Sequence, residues 1–404
     1  MRIALSLSLA SVAFALRPAP VCRLSPSTGS NWLQSRNCLV SEQNCAPPTS
    51  TLLMSVSADE DEDSGGPFTR KSLLEGVTKA AGVLGAGTFV QKGFFAGVPY
   101  HGTPDLTGKT AVITGGNTGL GKETAVKLAQ LGADVTIACR NPEKAFAALE
   151  EIKTKAPGNT KVAAMPLDLA SLASVDSFAK RYSSSAGALD ILVNNAGVMA
   201  IPKRQATKDG FEMQFGTNHL GHFRLTSRLM PSLLKSPDAR VVSVSSSAHQ
   251  FASTVEWDDL NAEGEGSYQP WKAYGLSKLS NIFFAKELQK RLDSKGASVT
   301  CTALHPGACR TELGRYLFDP SQPANPLVYP LLAAATLVTR TPTEGAQTQI
   351  ACAADPALGA GRGAGGLYYV GPKISEMPSA LARDSDSAGR MWAASEGFVG
   401  KFDV

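Results

Sequence analysis

Tyr274 and Lys278 stand four positions apart in the stretch PWKAYGLSKLSNIFFAKEL, residues 270 to 288. A phenol has an ordinary pKa of about 10, too high for easy proton exchange near neutrality. An ammonium close by favours the phenolate and pulls that value down. Spacing of i, i+4 puts both groups on one face of a helix. The same spacing also occurs on many solvated helices, so the pair gains meaning only if other groups converge on it. One candidate is the run VSSS, which offers Ser245, Ser246 and Ser247 at the end of an apolar segment. Side chains alternate along a strand, so one of these hydroxyls faces a site while its neighbours point elsewhere.

A second constellation lies upstream, in TGGNTGLGKETA. Gly115, Gly119 and Gly121 follow an apolar run and open a helical segment. Glycines there let backbone approach a pyrophosphate, and a helix N-terminus offers free N–H groups and the positive end of its dipole. The next apolar run ends in ACRN, so Cys139 and Arg140 stand where an Asp or Glu binds a bare ribose hydroxyl. A guanidinium suits a 2′-phosphate through forked, charge-assisted hydrogen bonds, which favours NADP(H). Lys144, one turn into the following helix, adds charge; the alternative is an Arg140 that only caps the strand in solvent.

The elements that must position these groups alternate. Apolar runs at 109–114, 134–139, 161–168, 189–197, 239–247, 297–307 and 366–371 are separated by helical stretches. That order predicts an α/β fold, a Rossmann-like doubly wound parallel sheet in one catalytic domain over residues 105–404. Strands buried on both faces explain the continuous apolar character. Net charge is +4 over 404 residues, too small to argue for nucleic acid. The seven cysteines form neither a dense disulfide framework nor CxxC or His-paired metal spacing, so no metal is expected. His219, His222 and His249 read as structural.

Residues 1–57 read as an address. MRIALSLSLASVAFALRP has a basic start, a short apolar run and small residues in an A-x-A-like pattern. Met1 to Ser41 holds four Arg and no acidic residue, which is transit-peptide composition behind a signal peptide. This predicts a plastid (chloroplast) location, with the secretory pathway or endoplasmic reticulum as the alternative. Residues 58–104 begin with the acidic run ADEDED and continue into 71–98, where Leu73, Val77, Ala80 and Leu84 share one helical face. That stretch is either a peripheral membrane-contacting helix or a linker packed on the domain.

Taken together, TGGNTGLG, LDL at 167–169, NNAG at 194–197, Asn218, SVSSS, YGLSK and HPG at 305–307 resemble, in order, the short-chain dehydrogenase/reductase superfamily over residues 105–400. GTNHLGHF, WDDLN, HPGACRTELGR and GRMWAASEGFVG look most like its retinol dehydrogenase-like branch. The light-dependent protochlorophyllide reductases are relatives, but they carry Cys directly after PG, where this chain has Ala308 and then Cys309. The resemblance implies Tyr274 as general acid, with Ser246 as second donor to the substrate oxygen. It also implies that Lys278 binds the nicotinamide ribose and that Asn218 supports a water-linked proton relay to Lys278. For the cofactor it implies Gly115, Asn117, Thr118, Gly119, Leu120, Gly121, Arg140, Asp168, Leu169, Asn195, Ala196, Gly197, Tyr274, Lys278, Pro306, Gly307 and Thr311. Residues 315–338 are apolar and Pro-rich; Phe318, Leu327, Tyr329, Leu331 and Leu332 either wall a hydrophobic pocket or pack on the core or a partner. The expected reaction is reduction of a small lipophilic aldehyde or ketone with NADPH, or oxidation of the alcohol, by a chain that a homodimer would also suit. Two alternatives stay open: a protochlorophyllide reductase-like photoenzyme and a non-catalytic NADPH-binding scaffold or sensor.

Overall fold

The computed structural model describes residues 99–404 except 159, 312, 314–338, 360–362 and 372–377. The leader, the segment 71–98 and the five apolar residues proposed for a pocket wall lie outside the described residues.

Each predicted apolar run forms a strand: β1 Thr110–Thr114, β2 Asp134–Cys139, β3 Val162–Pro166, β4 Ile191–Asn194, β5 Ala239–Val244, β6 Val299–His305 and β7 Tyr368–Val370. They build one parallel sheet in the order β3-β2-β1-β4-β5-β6-β7. All six residues of β5 are buried, whereas β3, at an edge, is half open and ends in Pro166.

Helices cover both faces. On one face α1 (Gly119–Gln130), α2 (Pro142–Lys155) and α6 (Pro342–Ala354) pack over Ala111, Ile113, Val135, Ile137, Val242 and Leu304. On the other, α3 (Leu172–Ser185), α4 (residues 213–233) and α5 (Pro270–Ser294) cover Val112, Leu192, Val241 and Ala303. Alternation along β1 assigns Val112 to one layer and its neighbours to the other. Within α4 the stretch Gly216–Leu220 is a π-helical turn. Helix starts are legible locally: Asn141 caps α2 through Lys144 N, and Thr341 with Glu344 forms a capping box on α6.

A short turn α7 (Ala380–Arg383) leads to α8 (Ser385–Val399), which lies on α5. Trp392 is 2% exposed and stacks on Phe402 at 4.9 Å and on Phe284 at 6.0 Å, with Phe223 edge-on at 4.8 Å. No described helix is long and apolar enough to cross a membrane. Truncating so enclosed an aromatic costs about 3–5 kcal/mol. Trp392→Ala is therefore expected to lower the denaturant midpoint by a matching amount, read by circular dichroism.

Candidate active site

Strand order reverses between β1 and β4, so the connections leave in opposite directions and open a crevice at the carboxyl ends of the strands. A cleft of about 520 Å³ sits there. It is lined by Gly115, Asn117, Thr118, Gly119, Leu120, Arg140, Asp168, Leu169, Asn195, Ala196, Gly197 and Thr311, all residues singled out in the sequence. Gly115 and Gly119 have φ of +65° and +54°, a region that favours glycine. Gly121 serves differently: a Cβ there would lie 2.5 Å from the Gly115 carbonyl oxygen and from Asn195 Nδ2, so its absence lets α1 close against β1 and β4.

Asn195 is braced from behind, and Pro306 and Gly307 lie outside the lining. Asn195 Nδ2 donates to the Thr114 carbonyl at 2.8 Å, and its Oδ1 accepts from Gln349 Nε2 at 3.2 Å. Pro306 accepts Arg340 Nη1 at 2.9 Å, and a Cβ on Gly307 would meet Arg340 Cδ at 2.8 Å. Gln349 and Arg340 had no motif to announce them; the only signal was the capping box that starts the helix holding Gln349, with Arg340 just before it. Asp168 is partly engaged already, accepting from Ala170 N at 3.1 Å and Lys208 Nζ at 3.2 Å.

The four catalytic candidates lie beside this cleft. Tyr274 and Lys278 are each 3% exposed on α5, with Lys278 Nζ 5.7 Å from the Tyr274 ring centroid. Ser245 Oγ donates to the Lys278 carbonyl at 2.6 Å, which ties β5 to α5 and removes Ser245 from the site. Ser246 stands near enough to the Tyr274 phenol to lower its pKa. Ser246 Oγ also accepts from Ala248 N at 3.1 Å. Asn218, in the π-helical turn, is fully buried: Oδ1 accepts from Val198 N at 2.8 Å, and Nδ2 donates to Val198 O and to Ser277 Oγ, both at 2.9 Å.

One expectation is corrected. The sequence implied that the Lys278 ammonium would acidify the phenol. Instead burial pushes Tyr274 up to about 12, only partly opposed by Ser246. Burial likewise pulls Lys278 down to about 8. The physical reason is that each charged form loses water, while Nζ donates to the Val244 carbonyl at 3.0 Å. Helical spacing predicted the shared face and could not predict the dryness. Burial also dominates at the histidines: His222 falls to about 4, His219 to about 3 and His305 to about 4, and His249 is lowered as well. Among the described residues no cluster of His, Cys, Asp and Glu could hold a metal.

A family model described as short chain dehydrogenase matches residues 109–257. Retinol dehydrogenase 13 of Homo sapiens is 40% identical over 324 residues, which is 80% of this chain and 93% of that one. Dehydrogenase/reductase SDR family member 13 of Bos taurus is 40% identical over 330 residues, 82% of each. The crystal structure of an uncharacterized protein from Mycobacterium paratuberculosis covers 76% of this chain and all of its own, at 34% identity and a TM-score of 0.58.

These relatives correct the plastid address. Human and bovine proteins, from organisms without plastids, match over four-fifths of the chain. A basic start, a short apolar run and an acid-poor tract are what translocation demands at several membranes, and composition alone did not choose among them.

The buried histidines predict a pH dependence. Their folded pKa values lie below the ordinary 6.5, so the unfolded chain binds protons first on acidification. Their contribution is fully present above about pH 6.5 and is lost as pH falls towards about 4. The melting temperature measured calorimetrically is expected to drop by several degrees between pH 7 and pH 5; an unchanged value across that window would contradict the burial.

Proposed function

The chain belongs to the short-chain dehydrogenase family, and on that premise we propose that it is an NADP(H)-dependent oxidoreductase acting on a lipophilic aldehyde, ketone or alcohol. The observation that carries the proposal is the convergence of Tyr274, Ser246 and Lys278 beside a glycine-lined cleft at the carboxyl ends of the strands. The cradle fits such a group: Gly119 holds left-handed backbone in the lining, and a Cβ there would come within 3.2 Å of Thr311 Cγ2, also in the lining, so its absence keeps backbone open to a phosphate. NADP(H) is supported by Arg140 and Lys144 at the cleft rim, beside the capped start of α2 and with no carboxylate between Cys139 and Asn141.

The bound nicotinamide supplies or accepts the hydride. Tyr274 Oη holds the proton that a developing alkoxide takes, and the Ser246 hydroxyl offers that oxygen a second hydrogen bond. Burial keeps the phenol protonated near neutrality, so the proton is in place on Oη. Lys278, buried against Val244, sits where its charge would favour the phenolate left behind. Asn218 holds the Val198 backbone on both its amide and its carbonyl, which keeps the end of β4 in place beside Lys278.

An apolar substrate is supported by the surface next to Tyr274. Phe251 is 58% and Trp271 43% exposed, the two rings meet edge to face at 5.6 Å, and Trp271 meets Tyr274 at 6.2 Å. Exposed aromatics grouped at the mouth of a site suit an apolar ligand. The retinol dehydrogenase names of relatives point to the same class.

The test is NADPH oxidation, followed by absorbance in the dark, against a series of aldehydes and ketones of increasing apolar length. Turnover confined to illuminated pigment, or none at all, would overturn the reading. Tyr274→Phe is expected to lower kcat by about 10²–10⁴-fold with the fold retained by circular dichroism. Arg140→Ala is expected to raise KM for NADPH by about 10–100-fold and to leave KM for NADH nearly unchanged, because only the former carries the phosphate.

A further inference from the structure

His222 lies on α4, outside the cleft lining, yet it joins three features of the site. Its Nδ1 is 2.9 Å from the main-chain carbonyl of Asn218 and its Nε2 is 2.9 Å from Thr114 Oγ1. A carbonyl only accepts, so Nδ1 carries the hydrogen and donates it. In a neutral imidazole Nε2 is then an acceptor, and the Thr114 hydroxyl must donate its single proton there. That leaves the two lone pairs of Thr114 Oγ1, and two N–H groups take them: Asn195 at 2.9 Å and Ala196 at 3.0 Å. Every polar atom in the chain has a partner, and Thr114, His222 and Asn218 are at most 2% exposed.

The consequence is mechanical. Thr114 is the last residue of β1 and immediately precedes Gly115. Asn195 and Ala196 end β4 and line the cleft. Asn218 holds Val198 and, through Ser277, the helix that bears Tyr274 and Lys278. We propose that His222 is a positioning residue: its neutral ring orients the Thr114 hydroxyl towards the Asn195–Ala196 turn and holds the Asn218 carbonyl, so that the cofactor floor and the proton-handling helix keep one register. Without the ring, the Thr114 proton is free to turn to the Val193 carbonyl, 3.3 Å away, and the Asn218 carbonyl loses a buried donor. The inference rests on the oxidoreductase reading for its kinetic arm and not for its binding arm.

The test uses the full chain with His222→Phe, which keeps a ring but no polar atom, and Thr114→Val, which removes only the hydroxyl. NADPH binding is titrated by protein fluorescence, and kcat and carbonyl KM are measured separately. Each variant is expected to weaken NADPH binding and to lower kcat by about tenfold, with carbonyl KM within about twofold. The double variant is expected to be no worse than the poorer single one, since both cut the same chain. A folded His222→Phe with NADPH affinity and kcat both within about twofold of the parent overturns the proposal, as do losses that multiply in the double variant. If His222→Phe does not fold, Thr114→Val carries the same criterion. If the parent turns over no carbonyl, the functional reading falls alone, and the NADPH titration still decides this one.

Discussion

The parallel pairing of β1 with β4, Ala111 to Ile191, Val112 to Leu192 and Ile113 to Val193, places the ends of two strands side by side where the order of the sheet reverses. Two loops leaving such a junction in opposite directions cannot fill the space between them. The crevice is therefore a consequence of topology, and the chain needs only to line it correctly. It does so with glycines where backbone must come close, and with Asn195 bonded into the Thr114 carbonyl on one side and Gln349 on the other. Because both strands are buried on both faces, their ends are stiff supports for those turns.

Dryness governs the chemistry next to the crevice. Tyr274 and Lys278 are carried on a 25-residue helix whose inner face is packed on the sheet and whose far side is closed by α8. Removal of water raises the phenol and lowers the ammonium, so each stays nearer its neutral form than it would on a solvated helix. In the proposed reaction, such a donor would give its proton as charge develops on a substrate oxygen. The same burial keeps the neighbouring histidines neutral, and so able both to donate and to accept.

Aromatic packing divides the molecule between support and access. Trp392, Phe402, Phe284 and Phe223 form an enclosed cluster on the side of α5 away from the sheet. Phe251 and Trp271 stand open at its beginning, next to Tyr274. Enclosed rings hold the helix in place; open rings present an apolar surface where a substrate would arrive. The difference lies in what packs around each residue, since the residue types are the same.

By itself the sequence determined the order of strands and helices, the glycine turn after β1, the basic residues after β2 and the shared face of Tyr274 and Lys278. Each is a local pattern: apolar runs, turn residues or helical period, written within a few positions. It also offered three serines for the second hydroxyl, of which the family resemblance implied Ser246, and the bond from Ser245 to the Lys278 carbonyl then took Ser245 out of the choice. Thr114, Arg340 and Gln349 were silent, and His222 read only as structural, because their meaning lies in partners tens to hundreds of positions away. The direction of the Tyr274 shift was misread for the same reason. Spacing fixes which groups are neighbours, but solvent exclusion is a property of everything packed around them, and only the assembled layers decide it.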